Sequence, residues 1–144
     1  MIKLISEFLA KPPQVKWLLI RAMKLSWHYK RQIANVPFKD FAAQMGTAQY
    51  ETPVEHIDDE RIQQVRWAAY AVRRWAPWET KCFDQALMAK QILNEYGLPC
   101  TLYMGVRPGA GGQLEAHAWL RCGDVYVSGG SGQNYAITGI FGDK

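Results

Sequence analysis

The stretch "WETKCFDQALMAKQILNEYGLPC", residues 78 to 100, decides how the rest of the sequence is interpreted. Its apolar residues repeat at helical spacing, and Gly97 followed by Pro99 is typical of a helix C-terminus. Thr80 is predicted as the N-cap, which places Cys82 at about the second helical position. Unpaired backbone N–H groups and the helix dipole stabilise a thiolate there, and the thiolate is the nucleophilic form of cysteine.

Spacing alone leaves two interpretations of this cysteine open. Cys82, Ala86, Ala89, Leu93 and Tyr96 lie on one helical stripe, so Cys82 also fits a small core residue. Burying the same stripe against a sheet would aim the thiol at a strand.

Length and composition predict one globular domain over residues 1–144. The chain is 49% hydrophobic and has six Trp, enough for one core. We divide it into a helical lead-in with a basic helix (1–57) and a core (58–144). Its three cysteines lack disulfide or zinc-site spacing, so we expect a reducing, cytoplasmic setting and neither a metal nor a cofactor.

The N-terminal segment predicts neither export nor membrane insertion. Glu7 interrupts a short apolar run, and no small-residue cleavage site follows it. The longest purely apolar run of the next segment covers only residues 17–20, far short of a membrane span.

Positive charge is concentrated at the front of the chain. Residues 1–39 carry eight Lys or Arg and one acid, a net +7, whereas residues 40–144 carry a net −3. Such a segment can bind an acidic peptide, an anionic membrane surface or nucleic acid, but a solvated helix face is the simpler interpretation. No nucleic-acid partner is predicted.

The order of elements predicts an α+β fold. Three helices are expected before the quoted one, and the first has apolar residues on more than one face, which calls for cover from the domain or a partner. Residues 47–57 are interpreted as a loop. The boundary residues are Pro12 and Pro13 for the first helix, Pro37 and Gly46 for the second, and Asp58 or Asp59 with Pro77 for the third.

From Leu98 onward the pattern changes to strands. "CTLYMGV" and "AHAWLRC" form a hairpin across the glycine-rich "RPGAGGQ". "AHAWLRC" and "VYVSG" form a second, tight hairpin through residues 123 and 124, and "YAITGIF" supplies a last strand. We therefore expect helices first and a small antiparallel sheet second.

His117 lies inside the predicted "AHAWLRC" strand and faces the same way as Trp119 and Arg121. A histidine opposite a cysteine at a helix start is the smallest set of side chains that can attack a peptide or amide carbonyl through the cysteine sulfur. The imidazole takes the thiol proton and later returns it to the leaving amine.

In combination, these motifs resemble a known family. "PWETKCFDQALMAKQILNEYGLPCTLYMGV" followed by "AHAWLRCGDVYVSGG" is similar to the transglutaminase-like cysteine peptidase of lasso-peptide biosynthesis, the B protein, in its stand-alone C-terminal form, B2. The resemblance covers residues 77–141. It rests on a Trp-x-x-x-Cys helix start, a Gly-x-Pro turn, a Gly-Val strand end and an Ala-His-Ala-Trp strand.

The resemblance implies a papain-like, transglutaminase-type core with Cys82 as nucleophile and His117 as general base and acid. The implied substrate is a ribosomal precursor peptide, whose leader is cut away before a separate asparagine-synthetase-like cyclase closes the ring. A separate leader-recognition protein, B1, is the implied partner, and the cyclase is a further candidate. Trp78, Gln85 and Trp119 are assigned as candidate substrate-binding residues.

One position departs from the family pattern, which often has an Asp on the strand after the histidine. A two-residue turn predicts Gly130 opposite His117 and Ser128 opposite Trp119, so no carboxylate is near the imidazole. Candidates to orient the imidazole are a backbone carbonyl and the side chains of Ser128, Gln133 and Asn134.

Two alternatives to leader removal stay open. A transglutaminase-like acyl transferase would use the same nucleophile and base, and would differ only in resolving the thioester with an amine. A non-catalytic peptide-binding module would keep the fold and use the basic helix. A further hypothesis is that Lys16, Arg21 and Lys24 dock an acidic face of the B1–leader complex.

Overall fold

A computed structural model describes residues 2–144, so Met1, the first residue of the predicted lead-in, lies outside the described residues. Over this range the chain forms five α-helices, two short 3₁₀ turns and five strands. The helices are α1 (Ile2–Ala10), α2 (Pro13–Asn35), α3 (Phe38–Phe41), α4 (Glu60–Trp75) and α5 (Cys82–Glu95). The strands are β1 (Thr47–Ala48), β2 (Cys100–Pro108), β3 (Leu114–Cys122), β4 (Val125–Ser128) and β5 (Ala136–Gly142).

Local signals in the sequence account for the helix boundaries. Pro13 occupies the first turn of α2, where its missing N–H costs nothing. Asp59 caps α4 as predicted, because its carboxylate accepts a hydrogen bond of 2.9 Å from the Arg61 N–H. Gly97, with φ +79°, follows the end of α5 in the left-handed conformation that a helix C-terminus favours.

The sheet is antiparallel throughout and has the order β1-β5-β2-β3-β4. Both predicted hairpins form, and β5 pairs with the free side of β2. The interpretation of residues 47–57 as a loop was wrong at one end, because β1 pairs with residues 141 and 142 of β5. Two residues are too few to show a strand period. The mixed helix and sheet arrangement confirms the α+β class.

The main hydrophobic core lies between one face of the sheet and helices α2, α4 and α5. Leu102 on β2 and Leu120 on β3 are fully buried in it. Alternation along β3 therefore directs the intervening residues, Trp119 and Arg121, to the other face. The helix residues buried in the core include Leu18, Leu19, Ala22, Ile62, Val65, Ala69, Val72, Ala86, Ala89 and Leu93.

The second face of the sheet buries a guanidinium group. Arg121 is 2% exposed and donates hydrogen bonds to the carbonyls of Gly123 (2.6 Å) and Thr52 (2.5 Å) and to the Tyr103 hydroxyl (3.1 Å). Burying a charge is costly unless it is hydrogen-bonded. These bonds tie the chain around Thr52 to β2 and β3.

A polar cluster fixes the C-terminal end against α5. Asp143 lies 2.7 Å from the ammonium group of the buried Lys90, and it accepts hydrogen bonds from the Asn94 amide (2.7 Å) and the Cys100 N–H (2.9 Å). The carboxylate therefore satisfies three donors from two elements.

The predicted cover of α2 on more than one side is absent from this chain over residues 2–144. Val15 and Leu18 are buried, but Trp17 is 70%, Trp27 44% and Ile20 40% exposed. The unpredicted helix α1 does not cover them either, although its Phe8 ring packs edge-on against Trp75 at 5.8 Å. Among the described helices, none is both long and apolar enough to cross a lipid bilayer.

Candidate functional site

Cys82 is the first residue of α5 and is half-buried. The prediction of Thr80 as N-cap was wrong, because the helix begins one residue later than that cap requires and Lys81 takes the capping position. Lys81 has no side-chain acceptor, and the carboxylate of Asp84 instead accepts the Lys81 N–H at 2.9 Å. The Cys82 N–H has no hydrogen-bond partner among residues 2–144, as expected in a first helical turn.

Asp84 sits two residues beyond the cysteine and is 3% exposed. Burial raises the pKa of its carboxyl group, and the hydrogen bond from the Lys81 N–H opposes that rise to a smaller extent. One carboxyl oxygen, Oδ1, has no partner in the part of the chain that the structure describes.

His117 lies on β3 opposite Gly105, with its Nε2 atom 2.6 Å from the Gly129 carbonyl oxygen. A carbonyl oxygen only accepts hydrogen bonds, so Nε2 carries the proton in this contact. In the neutral imidazole, Nδ1 is then the free acceptor. A main-chain oxygen thus selects the tautomer whose Nδ1 can take a proton.

Aromatic rings fix the plane of the imidazole. His117 stacks on Tyr135 at a centroid distance of 4.8 Å and on Trp119 at 5.8 Å, and Trp119 stacks on Tyr103 at 5.5 Å. Gly105 makes room for this stack, because a Cβ there would lie 2.9 Å from the Trp119 ring. The imidazole therefore has little freedom to leave the Gly129 oxygen.

The predicted register of β4 was wrong by one residue. Leu120 pairs with Ser128, and an irregularity between Leu120 and Arg121 admits Val127 as an extra residue. Gly129 consequently comes alongside β3: its φ is +75°, and a Cβ there would lie 2.4 Å from the Ala118 carbonyl oxygen. Only glycine fits this position without displacing the backbone.

The Ser128 hydroxyl makes no hydrogen bond to the imidazole. It is buried and has no hydrogen-bond partner over residues 2–144. The side chains of Gln133 and Asn134 are exposed and also make no hydrogen bond to His117. Of the groups considered from the sequence, the backbone carbonyl is the one that meets the ring.

The first turns of α5 and the end of β4 meet at one cleft of about 410 Å³. Gln85, one turn after Cys82, lines it together with Ser128 and Gly129, and the Gln85 amide donates to the Ala69 carbonyl of α4 at 3.1 Å. Neither Cys82 nor His117 itself lines this cleft, but the Gly129 carbonyl oxygen at its edge lies 2.6 Å from the His117 imidazole. No hydrogen bond joins the Cys82 thiol to the imidazole in the described chain.

A protein-family model described as the transglutaminase-like superfamily matches residues 24–141. The chain belongs to the transglutaminase-like superfamily. The match runs from within α2 to β5 and includes Cys82, His117 and the residues of the cleft. No curated protein and no solved structure matches the chain. The superfamily includes cysteine proteases and transglutaminases, so the fold is one that supports peptidase or acyl-transfer chemistry.

All three predicted substrate-binding residues of this transglutaminase-like chain make contacts within the fold. Trp119 is 3% exposed, inside the aromatic stack. Trp78 donates its indole N–H to the Ser26 hydroxyl at 3.1 Å and packs against Trp27 at 5.3 Å, so it joins the α5 lead-in to α2. Gln85 is the predicted substrate-binding residue that lines the cleft.

The other two cysteines differ from Cys82 in burial. Cys100 and Cys122 are buried and face each other across β2 and β3. Hydrogen bonding to Cys122, together with burial, raises the pKa of Cys100. Within residues 2–144, no cluster of three or more His, Cys, Asp or Glu has a metal-binding arrangement.

Sequence reasoning missed two parts of the cleft. Arg66 and Arg73 of α4 line its wall, and Gly129 supplies the carbonyl that meets the imidazole. The helical spacing of the arginines, seven residues apart, was visible in the sequence, but nothing indicated which surface they would border. The Gly129 contact depends on the irregularity in β4, which no residue pattern marks.

Proposed function

We propose that this transglutaminase-like chain is a cysteine endopeptidase that removes the leader from a ribosomally made lasso precursor peptide before a separate cyclase closes the ring. The observation that carries the peptidase assignment is the Nε2–H to Gly129 carbonyl contact, which leaves Nδ1 of His117 free as a base. The lasso assignment rests on the motif resemblance around Cys82 and His117.

The proposed reaction uses Cys82 as nucleophile. Nδ1 of His117 takes the thiol proton, and the thiolate sulfur attacks the peptide carbonyl. The Cys82 N–H, free at the helix start, donates to the developing oxyanion. The tetrahedral intermediate collapses as His117 returns the proton to the leaving amine, which leaves a thioester. Water, deprotonated by the same imidazole, then releases the acid and restores the thiol.

The absence of a thiol–imidazole hydrogen bond in the free chain is compatible with this role. Catalytic hydrogen bonds are often long in unliganded enzymes and shorten when substrate binds. The half-buried state of Cys82 leaves it accessible to a peptide, in contrast to buried Cys100 and Cys122.

The proposed partners are the precursor leader peptide, a separate B1 leader-recognition protein and, as a further candidate, the asparagine-synthetase-like cyclase. We place the reaction in the cytoplasm, where three free thiols remain reduced. The whole chain acts as one domain in this proposal, with residues 1–57 as the lead-in to the core.

The decisive experiment mixes purified chain, B1 and precursor, and follows the products by mass spectrometry. The wild type is expected to release the leader with a free carboxylic acid at the cut, and Cys82→Ala to release none. Retained cleavage by Cys82→Ala would remove the peptidase assignment. An amine adduct at the cut in place of an acid would establish acyl transfer instead.

Alkylation separates an enzyme from a non-catalytic binding module of the same fold. Iodoacetamide near neutral pH should modify Cys82 well before Cys100 and Cys122, because only Cys82 combines exposure with a helix start. Absence of cleavage together with equally slow modification of all three thiols would favour the binding module.

A further inference from the structure

The cleft beside Gly129 has two dissimilar walls. Arg66, Tyr70 and Arg73 of α4 form one wall, and residues 128–131 form the other. Gln85 and Ala69, both buried, form its floor. The volume, about 410 Å³, is enough for one or two side chains of an extended peptide.

The α4 wall carries positive charge that no ion pair within residues 2–144 neutralises. Arg66 and Arg73 lie on one helical face, seven residues and about 10 Å apart. Neither makes an ion pair or a side-chain hydrogen bond within residues 2–144, whereas Arg61 of the same helix pairs with Asp59 at 2.8 Å. Among residues 2–144, no Asp or Glu lines the cleft.

A buried hydroxyl in the opposite wall is also unpaired. Ser128 is 9% exposed, and its Oγ has no partner in the described chain although it borders the cleft. The Oγ atom itself is closed off from solvent, so a ligand in the cleft meets the two arginines and not this hydroxyl. A carboxylate is the acceptor that suits the arginines, because the planar guanidinium binds it through two parallel hydrogen bonds.

The cleft adjoins the imidazole through a single residue. Gly129 holds His117 with its carbonyl oxygen and lines the cleft as well. Gln85, which also lines the cleft, lies one turn after Cys82, so a side chain in the cleft belongs to a residue close to the bond being cut.

We propose that this cleft is a subsite for an acidic side chain of the peptide substrate, bound by Arg66 and Arg73 close to the cleaved bond. The proposal rests on the proposed peptidase function for the identity of the substrate. It adds a specificity determinant: of two peptides that differ by Glu against Gln at this position, the chain selects the acid.

The test compares matched precursor peptides, each with Glu or Gln at one position from four residues before to four residues after the cut, in the presence of B1. At one of these positions the wild type should show kcat/KM about tenfold higher for Glu, as expected of charge-assisted hydrogen bonds. The double variant Arg66→Gln and Arg73→Gln should remove this preference, so that the ratio of kcat/KM for the Glu peptide to that for the Gln peptide falls to about one. Lys39→Gln, an exposed lysine of α3, serves as the control and should keep the preference.

Binding distinguishes failure of the subsite from failure of the peptidase assignment. Fluorescence anisotropy of the same peptides with Cys82→Ala needs no hydrolysis, and the Glu peptide should bind about tenfold more tightly unless both arginines are replaced. Equal binding of all Glu and Gln pairs would overturn the subsite. Charge-dependent binding without any cleavage by the wild type would support the subsite and overturn the peptidase.

Discussion

At the scale of single residues, one main-chain oxygen replaces the carboxylate that the family pattern often places after the histidine. A neutral carbonyl fixes the tautomer of His117 through the Nε2–H bond of 2.6 Å, but it adds no negative charge to stabilise an imidazolium ion. The ring orientation therefore depends on where the Gly129 backbone lies, and stacking on Tyr135 and Trp119 supplements it.

Gly129→Ala should disturb the orientation of the His117 imidazole more than it lowers the stability of the fold. The added Cβ would lie 2.4 Å from the Ala118 carbonyl oxygen, so the Gly129 oxygen must move away from His117. Under the proposed function, we expect kcat for leader removal to fall by about ten- to a hundredfold, as for a misplaced catalytic group. Gly130→Ala is the matched control, since its φ is also +75° but a Cβ there meets nothing within 4 Å.

The nitrogen NMR chemical shifts of the His117 imidazole report its tautomer, which a loss of stability alone would not change. The Nε2-protonated tautomer should dominate in the wild type and in Gly130→Ala, and should lose that dominance in Gly129→Ala. Equal kcat values and equal tautomer populations in the two variants would show that the Gly129 carbonyl does not position the ring.

The burial of Asp84 leads to a second prediction at the scale of single residues, which concerns how the stability of the fold depends on pH. Burial raises the pKa of its carboxyl in the folded chain above that in the unfolded chain. Its stabilising contribution is thus complete below about pH 4 and is lost as pH rises through the folded pKa. Urea unfolding should show Asp84→Asn gaining stability relative to the wild type between about pH 4 and pH 7. The opposite trend would mean that the helix start stabilises the carboxylate more than burial disfavours it.

At the scale of elements, sequence periodicity predicted long segments well and short ones poorly. Helices α2, α4 and α5 follow from apolar stripes of about four turns or longer. The hairpin of β2 and β3 follows from strand patterns on both sides of a glycine-rich loop. The two-residue strand β1 has no period to detect. The Thr80 cap was wrong because the helix begins one residue later, at Cys82, where Lys81 takes the capping position and the Asp84 carboxylate accepts its N–H.

The candidate site could likewise be predicted only in part from the sequence. The sequence identified Cys82 and His117 by residue type and setting, and both stay predictions of function. The partner of the imidazole could not be predicted, because inserting Val127 into β4 shifts every later residue by one position relative to β3. Arg66 and Arg73 have an evident helical spacing, but only the tertiary contact between α4 and the end of β4 makes them line a cleft.

The C-terminal anchor of α5 is an element-scale feature that carries a stability prediction. Asp143→Ala would leave the ammonium group of Lys90, 4% exposed, without its charged partner. Removing one partner of a buried ion pair is costly, and we expect the free energy of unfolding to fall by about 3 kcal/mol in urea titrations. The double variant Lys90→Met and Asp143→Ala should lose less than Asp143→Ala alone. A larger loss in the double variant would mean that packing of the Lys90 stem, rather than its charge, dominates.

At the scale of the whole molecule, the +7 charge of residues 1–39 lies on helices whose apolar side chains this chain leaves exposed. Lys24 and Trp27 of α2 line a shallow apolar hollow of about 370 Å³ together with Met23 and Trp78. Exposed aromatic residues bordered by charge are typical of a protein-binding surface. Under the proposed function, the partner is B1 carrying an acidic face.

Of the three basic residues considered for docking, the structure leaves Lys24 as the best placed. Arg21 already pairs with Glu95 at 2.5 Å, and the Lys16 ammonium group lies 5.8 Å from the centre of the Phe8 ring. Lys24→Glu should therefore weaken binding to the B1–leader complex by about tenfold at low salt and less at high salt, because rim charges act through screened attraction. Lys39→Glu changes charge equally on α3 and should have a smaller effect in the same calorimetric titrations. Equal effects of the two variants at every salt concentration would assign the attraction to net charge alone and exclude docking at the Lys24 hollow.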